Sequence, residues 1–169
     1  MKPRRLVYYG IERWEPLRIG LVIAYSLLLS NSVRKDTRVI VDTIYRGYET
    51  RLVVDRSVRH LRLDEDSLRG FVISAVKGRL RGVKVTKPAP MGGVYCITCN
   101  NDGLDARLPL PSMRTGAEVA VILGNSRYFR CWHVVEVEAC RGLPEWLAVG
   151  VLQVLLDRVL GYGAGGARG

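Results

Sequence analysis

The chain has 169 residues, 48% of them hydrophobic and 25% charged, as one folded domain with its own core requires. The longest apolar run near the N-terminus, residues 19–29, is shorter than the roughly 20 residues of a membrane span, so a spanning helix is excluded there. The net charge is +10 and 21 of the 26 basic residues are Arg, leaving 5 Lys. Arginine forks match phosphate and stack on bases, which favours a nucleic-acid partner; a thermophilic source explains an Arg-rich, Gln-poor chain equally well.

Residues 1–5 are basic like the start of a signal peptide, but Glu12, Arg13 and Pro16 interrupt the apolar region that should follow, so an intracellular, cytoplasmic protein is expected. Residues 5–9 read as a first strand and 10–16 as its loop. Pro16 opens a helix that runs to Ser30, and 38–45 is a second strand. Strand, helix, strand is the βαβ unit of a parallel sheet. A short strand over 49–55 follows a turn at Gly47. The stretch 63–78 carries a full helix signature, with Asp64 as cap, Glu65 and Asp66 at the positive end, and Leu68, Phe71, Val72, Ala75 and Val76 on one stripe.

Residues 79–93 read as a basic loop, 93–98 as a strand, and 100–116 as irregular. Two further strands, 119–124 and 133–139, end at Gly124 and near Gly142, and a helix spans 143–160. Backbone groups at the carboxyl ends of parallel strands are free to hold a ligand, so a small-molecule site is expected near these glycines, although both also suit plain turns. The last helix is apolar almost all round, which is expected to put the sheet on one side and a second subunit on another, with Leu152 among the interface positions; a central core helix in a monomer is the alternative. The tail, 161–169, is expected to be disordered. One domain over 1–160 is the expected organisation.

Cys96 and Cys99 form C-x-x-C, but Cys131 and Cys140 are eight residues apart without knuckle glycines, so structural thiols or disulfides are favoured over zinc. No G-x-G-x-x-G follows the first strand and no P-loop occurs. Neither His60 nor His133 has a Ser or Cys placed for a nucleophilic triad.

Residues 16–41, an apolar helix ending in Ser and running through a basic pair and Asp into a strand, residues 58–78, and the strands at 93–98 and 121–124 with the segment 133–158 together resemble the archaeal SPOUT-class methyltransferases that act on N1 of pseudouridine in the tRNA T-loop. The resemblance covers roughly residues 5–160. It implies an α/β fold with a mostly parallel sheet, helices on both faces and a C-terminal trefoil knot, a homodimer, S-adenosylmethionine as cofactor, and tRNA as partner. By position, Leu123 and Gly124 match the first cofactor loop, and Gly142, Leu143 and Leu147 fall near the second. Arg34, Lys35 and Asp36 match the segment on the RNA side. The RNA set expected from these and other basic positions is Arg34, Lys35, Arg59, Arg62, Arg79 and Arg81, with Asp36 as the base that removes the ring N–H proton. A solvated helix end accounts for Arg34, Lys35 and Asp36 at least as readily. The chain departs from the family after Gly124, where residues 125–129 replace an acidic residue and a glycine, and it is shorter on both sides of the 119–124 strand. The alternative to an enzyme is therefore a noncatalytic, basic RNA-binding protein of the same fold.

Overall fold

The computed structural model describes residues 5–28, 33–59, 61–99 and 118–160. His60, the expected irregular stretch 100–116 and the tail 161–169 lie outside them. The described elements follow in the order β1 (Arg5–Gly10), α1 (Pro16–Leu27), β2 (Thr37–Tyr45), β3 (Tyr48–Val54), α2 (Glu65–Val76), β4 (Val83–Thr86), β5 (Met91–Thr98), β6 (Val119–Gly124), β7 (Phe129–Glu136), a 3-10 turn (Glu138–Cys140) and α3 (Glu145–Leu160). The strands form one mixed α/β sheet in the order β4-β3-β2-β1-β6-β5-β7. The pairs β1/β2, β1/β6, β5/β6 and β5/β7 are parallel; β2/β3 and β3/β4 are antiparallel. Among the described residues no helix is long and apolar enough to cross a membrane.

Local chemistry accounts for the elements. β1 is buried along its whole length, the signature of a strand covered on both faces. Pro16 sits in the first turn of α1, where its missing N–H costs nothing. The Asp64 carboxylate accepts from the Ser67 amide at 2.9 Å and caps α2. Arg46 and Gly47 both have positive φ, 50° and 80°, making the two-residue turn that joins β2 to β3. Two strands differ from expectation. β4 lies inside the stretch read as loop, because a four-residue edge strand carrying Lys84 gives little apolar signal. β7 begins at Phe129, four residues before His133, so that Cys131 lies within the strand rather than before it.

The helices share one face. Val7, Tyr9, Val39, Val41, Val119, Val121 and Leu123 pack with Ile19, Val22 and Ile23 of α1, Phe71, Val72 and Ala75 of α2, and Ala148, Val149, Leu152 and Leu156 of α3. The opposite face, Leu6, Tyr8, Ile40, Ala120 and Ile122, packs with Cys96 and Phe129 and includes no residue of a described helix. Helices on both faces are therefore not what covers the sheet among the described residues. β6 and β7 run the same way but are joined by only the segment 125–128, whereas a parallel crossover ordinarily needs a dozen residues or more. The sheet closes this short link by curling: the Phe129 ring stands 5.3 Å from that of Tyr8, and the starts of β5 and β7 cover the second face. Gly93 lies against this contact, with the Phe129 ring and the Ala120 methyl at van der Waals distance, 3.4 and 3.5 Å, from where a Cβ would stand.

The four cysteines form two disulfides, Cys96–Cys131 and Cys99–Cys140, with no free cysteine. They tie β5 to β7 and to the turn beyond it. Closing loops of 35 and 41 residues removes unfolded-chain entropy equivalent to about 3–4 kcal/mol each.

At the amino ends of the parallel strands Arg5, fully buried on the helix face, holds three elements together. Its Nε pairs with Asp36 at 3.1 Å, and its Nη1 donates to Asp157 at 2.6 Å and to the Gln153 side-chain oxygen at 2.8 Å. Arg34 donates to the same Asp157 oxygen at 2.6 Å, and the Gln153 amide donates to the Ser26 carbonyl at 2.7 Å. Breaking a buried pair strands the remaining charge at a cost of about 3–5 kcal/mol. Arg5→Met should therefore lower unfolding stability by that amount in denaturant titration; a loss under about 1 kcal/mol would show that the network is solvated and weak.

Candidate active site

Gly10 ends β1, Gly124 ends β6, and the two are paired in register. After β1 the chain turns to β2 on one side, and after β6 it goes to β7 on the other. Adjacent parallel strands whose connections diverge in this way open a crevice at their carboxyl ends, the usual place for a ligand in such sheets. The glycines are required by contact. The Asn125 amide donates to the Gly10 carbonyl at 2.9 Å, a Cβ on Gly10 would lie 1.7 Å from the Asn125 carbonyl oxygen, and one on Gly124 would lie 2.2 Å from the Gly10 oxygen. Gly124 also has φ +65°, which a side chain disfavours.

On the curled side of this pair is a cavity of about 90 Å³ lined by Tyr8, Gly10, Ile11, Glu12, Asp42, Thr43, Ile44, Glu49, Pro88, Asn125, Arg127 and Tyr128. Its floor is a locked charge cluster. Arg51 grips Asp42 with two bonds, Nε to Oδ1 at 2.6 Å and Nη2 to Oδ2 at 2.8 Å, while the Tyr8 hydroxyl donates to Oδ2 at 2.6 Å. Burial and then the Asp42 carboxylate push the Tyr8 phenol well above its ordinary range, so Tyr8 stays a neutral donor. The bond to Asp42 in turn raises Arg51. The rim comes from the 125–128 link: Arg127 donates to Glu49 at 3.1 Å and the Tyr128 hydroxyl to the other Glu49 oxygen at 2.6 Å, a bond that raises Tyr128. Glu12 is exposed and accepts one bond at 2.9 Å through Oε1 from the side-chain Nδ2 of Asn125.

The helix side of the same glycine pair carries Tyr9, 1% exposed, whose hydroxyl makes no hydrogen bond of good geometry among the described residues. Burial, then Glu145, holds this phenol above its ordinary range, opposed by the nearby Arg18. A Cβ on Gly124 would meet the Tyr9 ring at 3.1 Å.

Leu123 is buried in the helix-side core, so only the backbone of that position is open to a ligand. Gly124, Gly142, Leu143 and Leu147 are exposed; Gly142 has φ +73° with open space where a Cβ would go. Asp36 is not at this end. It precedes β2 at the amino side, is bound by Arg5 and receives the Thr37 hydroxyl at 3.2 Å. Gly10 is level with Asp42, six residues further along β2, which is about 20 Å of strand. One protomer therefore does not bring Asp36 and Gly124 together. Arg34 is 4% exposed and consumed by Asp157. Lys35, Arg59, Arg62, Arg79 and Arg81 are exposed. Arg59 and Arg81 flank the place where Gly82 closes on Val58, the built Cβ lying 2.6 Å from the Val58 nitrogen, and Arg79 follows α2. Arg62 leads into the other end of that 12-residue helix, about 18 Å away. Nearby, Asp55 is lowered: burial acts against this, but the Ser57 hydroxyl and amide and then Arg38 and Lys84 outweigh it.

Sequence reading did not single out Glu12, Asp42, Glu49, Arg51 or Asn125. The available signal was Gly10 at the end of a first parallel strand, which predicts a functional loop after it. Among the described residues no group of three or more His, Cys, Asp or Glu side chains is placed to hold a metal. No protein-family model matches this sequence, and no curated protein matches it significantly.

The glycine requirements differ in kind and can be separated by substitution. Gly142→Ala has to adopt a left-handed conformation but meets nothing, costing about 1–2 kcal/mol. Gly10→Ala must displace the Asn125 backbone, so it should lower the unfolding midpoint distinctly more and disturb residues 124–128. Equal midpoints would mean that the Gly10–Asn125 contact is loose in solution.

Proposed function

We propose that the protein is an S-adenosylmethionine-dependent RNA methyltransferase whose reaction takes place at the carboxyl ends of β1 and β6, with N1 of pseudouridine in the tRNA T-loop as the target. The observation that carries this reading is the glycine pair: the Leu123–Gly124 dipeptide that the family resemblance assigns to the cofactor ends its strand at the divergence point of the sheet, where ligand crevices form. The residues present fit the cofactor. A glycine at positive φ presents backbone to a ligand, the buried Tyr9 hydroxyl has hydrogen-bonding capacity to spare, and Gly142, Leu143 and Leu147 supply exposed backbone and apolar surface. When bound, the cofactor supplies a methyl group on a positively charged sulfur. The mostly parallel sheet and the C-terminal trefoil knot implied by the family, and the cytoplasmic location expected from the N-terminal residues, belong to this proposal.

tRNA binding is assigned to the exposed Lys35, Arg59, Arg62, Arg79 and Arg81, whose charges displace phosphate counterions. Arg34 and Asp36 take a different part, because they are buried in ion pairs with Asp157 and Arg5: Arg34 holds α3 through Asp157, Asp36 holds Arg5, and Asp36 is not assigned the proton. The homodimer is assigned to the outer side of α3. Leu152 faces the protomer's own core at 1% exposure, whereas Leu147, at 40%, and Val154, at 50%, stand out beside Tyr25 of α1, whose ring lies 3.3 Å from a Cβ built on Gly150. An apolar strip of this kind fits a second copy of itself across a two-fold axis.

Calorimetry with S-adenosylmethionine should give saturable binding. Its absence, with RNA binding intact, would sink the enzyme reading in favour of the noncatalytic alternative. Binding of a T-arm RNA should weaken steeply with salt, and Arg59→Gln, Arg79→Gln and Arg81→Gln should each reduce the log–log slope by about 1 if each contacts one phosphate; an unchanged slope would move the RNA to another surface. Sedimentation should report about twice 18.9 kDa, and Val154→Lys should convert that species to monomer. A wild-type monomer at micromolar concentration would remove the dimer.

A further inference from the structure

We infer that the cavity between Glu12, Glu49 and Tyr128 is the seat of an unpaired, carbon-linked uracil base, held through its N1–H by the Glu12 carboxylate. This rests on the RNA reading above and adds to it the subsite, the ligand atom and the residue. The walls have two characters. Ile11, Ile44 and Pro88 are apolar, and Tyr128 contributes an aromatic ring, which suits the faces of a flat heterocycle. The charged groups are already committed to one another with one exception, Glu12; among the neutral ones the buried Thr43 hydroxyl also has no hydrogen-bond partner among the described residues. Asp42 is used by Arg51 and Tyr8, Glu49 by Arg127 and Tyr128, and Arg127 by Glu49. Glu12 accepts one side-chain bond through a single oxygen, and an ionised carboxylate has room for several more. Three carboxylates line the cavity, Glu12, Asp42 and Glu49, against the single guanidinium of Arg127, with Arg51 behind Asp42. Such a lining selects a ligand that donates hydrogen bonds and disfavours a phosphate.

Size and position agree. An apolar cavity of about 150 Å³ encloses a benzene ring. A volume of about 90 Å³ with exposed Glu12, Asn125 and Arg127 at its mouth takes one edge of a six-membered ring and leaves the ribose outside. The N–H in question is the N1–H of pseudouridine, on the edge that base pairing leaves free, and a base in a loop can present that edge to a side chain because it is not stacked within a duplex. The cavity also adjoins Gly10 and Asn125, so the edge of the ring that reaches Glu12 lies beside the glycine pair, with Tyr9 on the helix side of that pair.

The test compares two T-arm hairpins, one with pseudouridine at the loop position and one with 1-methylpseudouridine, which has lost the ring N–H in question. Affinities are measured by fluorescence titration without cofactor, for the wild-type protein and for Glu12→Ala, an exposed loop substitution whose folding is checked by circular dichroism. A charge-assisted hydrogen bond of this kind predicts about tenfold tighter binding of pseudouridine by the wild type, with the preference abolished in Glu12→Ala. In parallel, a hairpin with pseudouridine at that position and 4-thiouridine beside it should photocrosslink to residues 8–12 or 125–128. RNA binding with no preference between the hairpins, or crosslinks mapping to the amino-end arginines, overturns the cavity while leaving the RNA reading in place. Failure of the protein to bind either hairpin at low salt overturns both.

Discussion

A single buried guanidinium organises one end of this molecule. Arg5 has no exposed surface, and its neighbours come from the segment before β2 (Asp36) and from α3 (Gln153 and Asp157), while Gln153 reaches on to α1 through the Ser26 carbonyl. A charge taken out of water so completely persists only where every partner is in place. The arrangement therefore determines where the last helix lies: its far end is held across the amino ends of β1 and β2, and its start falls near Tyr9 at the carboxyl end.

The opposite end is controlled by steric contact instead. Gly10 and Gly124 approach so closely that neither tolerates a Cβ, and the Asn125 amide bonds the Gly10 carbonyl. The short link from β6 to β7 then has one way to go, over the second face of the sheet, where Phe129 meets Tyr8 and Tyr128 reaches Glu49. Curling supplies the cover that a crossover helix would otherwise provide, and the same curl makes the cavity. The disulfides Cys96–Cys131 and Cys99–Cys140 hold the curled strands and the following turn in this position.

The two ends use their charges differently. Exposed Lys35, Arg59, Arg79 and Arg81 are at or near the amino end, where Arg34 and Asp36 are absorbed into the fold, while exposed Arg13, Arg46 and Arg127 stand at the carboxyl end. Carboxylates with a cavity between them are at the carboxyl end.

Periodicity and capping were enough to identify β1, α1, β2, β3, α2, β5, β6 and α3 in the amino-acid sequence, because each is specified by contacts within a few residues: Pro16 at a helix start, Asp64 three residues before Ser67, Gly47 in a two-residue turn. Edge elements were less legible. β4 and the first half of β7 alternate charged with apolar side chains and are held as strands by their neighbours. Which side of the sheet the helices took, and the partners of Arg34 and Asp36, were beyond any local pattern. Asp157 is 123 residues from Arg34 in the chain, and two residues that look like a solvated basic-acidic pair in sequence become buried ions only once α3 arrives. The site followed the same rule. Gly124 was recognisable as the end of a strand, but Glu12 and Asn125, separated by 113 residues, meet only because β1 and β6 are neighbours in register, and that pairing is a property of the assembled sheet.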